Sequence, residues 1–324
     1  MGGSKTQYFK LPDGSGCEMA YKVSIPSSAT AQSCTPLFLI NGLSAIMVDW
    51  SPLFEALGET RPVIISDHRG IGESKVSEEW DQELSLESMG LDVINLAAHL
   101  GYKTIDLLGF SMGGHIAQAL ISSPELTKKV EEENDDEASL VINGRVKVRK
   151  VILTATMTKL PRGDVNLNKL NAEAEKIKDK KERNDFITYN MMKVQYHDAV
   201  LGPKGELQGK FEKRLESVRN TNRPAWIIGL QFLAIQSADL RKQLHNVPQS
   251  LPIMVIHGDK DRMVLHEESD KIMEGIAHAK RLKDTPSGEF GHFWYEYFQL
   301  DYWVKSISNF LDLGKVGGHH ESKL

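Results

Sequence analysis

Short apolar runs recur along the chain and alternate with stretches whose apolar residues fall at every third or fourth position. Leu37-Phe38-Leu39-Ile40, Val63-Ile64-Ile65, Ile105-Asp106-Leu107-Leu108, Val151-Ile152-Leu153 and Pro252-Ile253-Met254-Val255-Ile256-His257 are short and nearly all apolar, the pattern of strands buried on both faces. Leu86 to Leu100 and His115 to Ile121 carry helical spacing instead. Tyr8 to Leu11 and Glu18 to Val23 flank Pro12-Asp13-Gly14-Ser15-Gly16, which predicts an opening hairpin. Ala279 to Leu282 is expected as the last strand and Phe293 to Leu313 as a closing helix. Strands alternating with helices argue for the α/β class: a mostly parallel, doubly wound sheet with helices on both faces and an N-terminal antiparallel hairpin.

Two segments break this alternation. Glu131-Glu132-Glu133-Asn134-Asp135-Asp136-Glu137 is followed by Val141 to Val148, where Asn143-Gly144 between β-branched residues signals a hairpin. Residues 131–149 therefore read as a solvated acidic loop plus hairpin inserted before the strand at Val151. The longer interruption, 160–247, is expected to be a helical cap. Phe186, Tyr189, Met192 and Tyr196 recur at helical spacing there, as do Trp226, Leu230 and Leu233. The expected division is a core of 1–159 and 248–314, a cap of 160–247 and a flexible tail of 315–324.

The chemistry gathers around Gly109-Phe110-Ser111-Met112-Gly113-Gly114, which lies between a strand-like and a helix-like run. A serine on that turn fits the G-x-S-x-G nucleophile elbow, whose sharpness excludes side chains at Gly109 and Gly113 and strains the residue between them. A serine hydroxyl needs a base to take its proton, and the base needs an orienting carboxylate. In the expected chain order the acid follows a late strand and the histidine follows one more. Gly258-Asp259-Lys260-Asp261-Arg262 ends the run at Pro252, and Gly291-His292-Phe293 follows the last expected strand. Asp259 and Asp261 both compete for the acid role, Asp259 being placed to cap its loop through backbone N–H groups. Among the other histidines, His257 reads as a packed structural residue, His115 as a helix residue and His68 as a loop residue. The oxyanion hole requires two N–H groups. Met112, after the nucleophile, supplies one; Leu43, in the Asn41-Gly42-Leu43-Ser44 loop, supplies the other.

From about Leu37 to Leu313 the chain resembles the capped, single-domain α/β-hydrolases. Besides the elbow, Asp67-His68-Arg69-Gly70-Ile71-Gly72-Glu73-Ser74 is similar to their D-x-R-G-x-G-x-S segment. Trp50-Ser51-Pro52-Leu53-Phe54 and Gln231-Phe232-Leu233-Ala234-Ile235 with Arg241 are similar to a subset of polyketide methyl esterases, the aclacinomycin methylesterase-like enzymes. The position of Asp261 resembles the acid of the family's G-x-x-D pattern, which favours it over Asp259. Asn41 departs from the His-Gly that many relatives carry; the donor at this point is main-chain, so the departure costs little. The resemblance implies a Ser111–His292–Asp261 triad that cleaves an ester or acyl thioester without cofactor or metal. It leaves open C–C bond hydrolysis, a cofactor-free peroxidase activity, or a ligand-binding receptor with slow turnover. Epoxide hydrolysis and dehalogenation are disfavoured, because they use an aspartate at the elbow.

Composition adds limits. With 40% hydrophobic residues in 324, the chain can bury a sizeable core. The net charge of -5 gives no reason to expect nucleic acid or a membrane surface as partner. Basic residues outnumber acidic ones within 160–247; solvated helix faces such as Lys176 to Glu182 account for this, with attraction of an anionic coenzyme A thioester as the alternative. Two cysteines, Cys17 and Cys34, argue against a disulfide framework and for a reducing interior compartment. No apolar run approaches a transmembrane span or a secretory signal. Ser322-Lys323-Leu324 is the S-K-L signal read by the peroxisomal import receptor, which makes the peroxisome matrix the expected location. Met1-Gly2 with Thr6 fits the looser myristoylation pattern.

Overall fold

The computed structural model describes residues 5–130, 139–161 and 163–317. One sheet contains β1 (Gln7–Lys10), β2 (Glu18–Ser24), β3 (Leu37–Ile40), β4 (Val63–Ser66), β5 (Thr104–Phe110), β6 (Thr127–Val130), β7 (Ser139–Ile142), β8 (Val146–Thr154), β9 (Ile253–Ile256) and β10 (Lys280–Arg281). The helices are α1 (Ala29–Gln32), α2 (Leu53–Gly58), α3 (Leu86–His99), α4 (Met112–Ser122), α5 (Leu167–Ala174), α6 (Lys180–Lys193), α7 (Gln208–Asn220), α8 (Ala225–Ser237), α9 (Glu267–Gly275) and α10 (Leu300–Leu313).

The strands follow one another across the sheet as β1-β2-β4-β3-β5-β8-β9-β10, parallel from β4 onward. The opening hairpin is antiparallel, and β2 pairs antiparallel with β4. Alternation along the strands divides the core between the two faces. Phe38, Ile40, Ile64, Ile105, Leu107 and Val255 face the helices α3 and α4. Leu37, Leu39, Val63, Ile65, Leu108 and Met254 face α2 and α10, where Trp303, Ile307 and Phe310 complete the packing.

Several boundaries differ from those expected. The hairpin around Asn143-Gly144 is continuous with the next strand: β8 begins at Val146, pairs there with β7, and pairs with β9 only from Val151. The acidic stretch Glu131 to Glu137 lies outside the described residues, as do Gly2 and the terminal Ser322, Lys323 and Leu324. The closing segment starts as a single tight turn at Trp294–Glu296, and the α-helix begins only at Leu300. Gly314, at φ 65, ends α10 in the left-handed conformation that a side chain disfavours. Val316 beyond it packs partly against the core, so apolar contact reaches further along the chain than expected. Cys17 and Cys34 are both free thiols. Among the described residues no helix is long and apolar enough to cross a membrane.

This topology locates a crevice. From β3 the chain moves to β4 on one side, then returns to β5 on the other. The loops leaving the carboxyl ends of β3 and β5 therefore diverge, which is where open α/β sheets bind ligands.

Candidate active site

Ser111 sits at the carboxyl end of β5 with φ 54 and ψ -118, a conformation that side chains rarely adopt. Its backbone is fixed from both sides: Ser111 N donates to Thr154 O at 2.9 Å, and Thr156 Oγ1 donates to Ser111 O at 2.6 Å. A Cβ at Gly109 would overlap the Gly113 carbonyl, and one at Gly113 would overlap the Ile40 carbonyl, so the bend requires glycine at both positions. Met112 opens α4 directly after the serine. Its N–H belongs to the first helical turn, which has no intrahelical acceptor to offer it.

The acid and the histidine arrive after the last two strands, β9 and β10. Asp261 follows β9 and uses its two oxygens differently. Oδ1 accepts the N–H groups of Met263 and Val264, both at 2.9 Å, while Oδ2 lies 2.7 Å from His292 Nδ1. The loop-capping role expected of Asp259 thus falls to Asp261 itself. The Asp259 carboxylate is largely exposed and lies 3.6 Å from His266 Nε2. Burial by itself would raise the Asp261 carboxyl, but the adjoining His292 and His257 rings outweigh it and hold the group at about 2.

His257, expected to be a packing residue, is buried with Nε2 2.8 Å from the Val264 carbonyl and 3.3 Å from Asp261 Oδ2. Only its contact with the acid was missed, and no local motif signals it. Burial lowers His68 and His115 to about 4, and both lie within the packed fold. His292 N donates to Gln195 O at 2.9 Å, tying the histidine to the segment after α6.

Ser111 and His292 line one cavity of about 50 Å³, together with Gly42, Leu43 and Ser44. Ala45 N donates to Gly42 O at 3.2 Å, which closes a turn with Leu43 and Ser44 at its centre. A Cβ on Gly42 would stand 3.2 Å from the Ser111 Cβ, so glycine lets this turn approach the serine. Asn41 is structural: it accepts from Trp50 Nε1 at 2.6 Å and donates to Ser66 O at 2.8 Å. Phe110, Phe293, Met192 and Val218 supply apolar wall.

The wall also includes the charged Asp49, Arg214 and Arg223, so the basic excess of 160–247 is not wholly solvated. Arg223 grips both oxygens of Asp49 at 2.8 and 3.0 Å. Arg214, buried, pairs with Glu296 and lies 3.5 Å from Asp49 Oδ1, its guanidinium stacked 3.9 Å from the Phe293 ring centre. Burial would raise Asp49, yet the two arginines hold it below the usual carboxylate range. Sequence reasoning missed Asp49, Arg214 and Arg223. Gln231 it noted only as part of a motif; here the side chain is buried and accepts from Ser44 N at 2.9 Å.

Residues 35–295 match a family described as alpha/beta hydrolase fold. A soluble epoxide hydrolase of Corynebacterium sp. (strain C12) is 36% identical over 89 residues, which is 27% of this chain and 30% of that protein. The chain thus matches less than a third of that relative's length. Among solved structures, a hydrolase from Pseudomonas aeruginosa PA01 aligns with TM-score 0.70 at 21% identity, over 96% of this chain and all (100%) of that one. An esterase from Exiguobacterium antarcticum aligns with TM-score 0.67 at 18% identity, over 95% of this chain and 99% of that one. At these identities the likeness shows the fold.

Proposed function

Since the chain belongs to the alpha/beta hydrolase fold family, we propose that it is a serine hydrolase cleaving a carboxylic ester or acyl thioester through an acyl-enzyme. The observation that carries this reading is the Asp261–His292 hydrogen bond at 2.7 Å, in a site whose cavity brings His292 together with Ser111. Ser111 Oγ attacks the acyl carbonyl as His292 Nε2 takes its proton. Asp261 keeps Nδ1 protonated and stabilises the imidazolium. The N–H groups of Leu43 and Met112 receive the oxyanion. His292 returns the proton to the leaving alcohol or thiol, and then draws one from the water that frees the acid.

The epoxide hydrolysis named for the Corynebacterium relative does not suit a serine. Ring opening by Ser111 would leave an ether, which has no carbonyl for water to attack, whereas a carboxylate nucleophile leaves a hydrolysable ester. The wall favours an uncharged acyl group, because Arg214 and Arg223 are already balanced by Glu296 and Asp49. Segment 160–247 contributes Met192, Gln195, Arg214, Val218 and Arg223 to the wall of this cavity, which supports reading it as a cap over the site.

The test is labelling by a fluorophosphonate, followed by a screen of p-nitrophenyl esters, methyl esters and acyl-CoA thioesters. Stoichiometric labelling that Ser111→Ala abolishes, with turnover of at least one ester class, is expected. Undiminished labelling of the alanine variant would overturn the assignment of the nucleophile. We also propose peroxisomal import through Ser322, Lys323 and Leu324. An N-terminal fluorescent fusion should colocalise with a peroxisomal marker and disperse when the tripeptide is deleted; a diffuse signal from the intact fusion refutes import.

A further inference from the structure

The oxyanion loop is not held by the sheet alone. The turn Gly42 to Ala45 carries Ser44 at φ 60, a left-handed conformation that strains a residue with a side chain. Something must hold it there, and both polar groups of the Ser44 backbone are taken by side chains from segment 160–247. Gln231, on α8, accepts the Ser44 N–H at 2.9 Å. Arg223, between α7 and α8, donates to Ser44 O at 2.6 Å. The same guanidinium grips Asp49, whose Oδ2 in turn accepts the Ile46 N–H at 2.9 Å, so one arginine braces both ends of the loop.

We infer that Arg223 and Gln231 are positioning residues that hold the Leu43 N–H of the proposed oxyanion hole in its working direction. This rests on the serine-hydrolase reading above. Leu43 and Ser44 share the turn, so rotation about Ser44 carries the Leu43 peptide with it. Gln231 is fully buried, and its Nε2 has no partner among the described residues. An apolar side chain of the same size would remove that orphaned donor but leave the Ser44 N–H without its acceptor, so the glutamine holds Ser44 at the cost of its own buried Nε2.

The test uses the full chain with Gln231→Met, close to isosteric, and Arg223→Lys, which keeps the charge but loses the fork. Removing an oxyanion donor outright costs roughly a hundred- to a thousandfold in kcat. A loosened donor should cost about ten- to a hundredfold, with KM for p-nitrophenyl butyrate changed less than about threefold and the rate of fluorophosphonate labelling falling in step with kcat. Adding Ser44→Gly, which adopts the left-handed conformation without strain, should recover much of the loss. Folded variants with unchanged kcat, or a loss that Ser44→Gly does not relieve, would overturn the positioning role. A wild-type chain that no fluorophosphonate labels would instead overturn the hydrolase reading beneath it.

Discussion

Ser111 holds a strained backbone because glycines on either side let two strand ends and a helix start converge on it. Ser111→Ala keeps the backbone and its partners, so it should abolish labelling and turnover while leaving the unfolding midpoint within about 0.5 kcal/mol of the wild type. Asp261 bears more. Replacing it with asparagine should lower kcat by about four orders of magnitude, because the wrong imidazole tautomer is held, whereas Asp259→Asn should leave kcat within a few-fold. Equal losses in the two variants would reassign the acid. The Asp261 carboxyl also makes stability depend on pH. Held at about 2 in the fold, below its ordinary 3.8, it binds its proton more weakly than in the unfolded chain. Its stabilisation is therefore full above about pH 4 and is lost as pH falls through 2, a difference of about 2 kcal/mol. Urea midpoints at pH 5 and pH 2 should show this acid-side loss in the wild type and a smaller one in Asp261→Asn.

Helix α8 shows where pattern reading fails at the scale of an element. Ala225 to Ser237 is apolar nearly all round, so no stripe sets its rotation. Trp226 and Leu233, noted for their helical spacing, are 48% and 56% exposed, whereas Ile227, Gln231, Ala234 and Ile235 are buried. Packing decided the phase: Ile227 lies against Gly70, and Gln231 reaches Ser44. Ile227→Ala should therefore cost about 2–5 kcal/mol, and Leu233→Ser no more than about 0.5, as read from chemical unfolding. A reversal of the two values would put the helix in the other rotation. Strand β8 gives the opposite case. Asn143-Gly144 announced its turn correctly, but nothing local shows that the second hairpin arm runs on into the parallel sheet.

Across the whole molecule, the elements with strong local signatures were legible in the chain itself. Buried parallel strands must be uniformly apolar, and a strand-to-helix bend with no room for Cβ atoms must use glycine, so β3, β4, β5, β9 and the elbow declare themselves within a few residues. Family membership over residues 35–295 agrees with that reading. Ser111, His292 and the pair of candidate acids could be named because each follows a strand end. Contacts between distant segments carry no such signature. That Asp261 rather than Asp259 faces His292 depends on how one loop folds back onto Met263 and Val264. That Arg214 and Arg223 are buried against Glu296 and Asp49, instead of solvated, depends on the segment 160–247 lying over the loop after β3. Local sequence sets strand, bend and reactive side chain, because these answer to backbone sterics and hydrophobic periodicity. Pairing of charges and the aim of an N–H between residues 82 to 187 positions apart answer to tertiary packing, which alone brings their partners within reach.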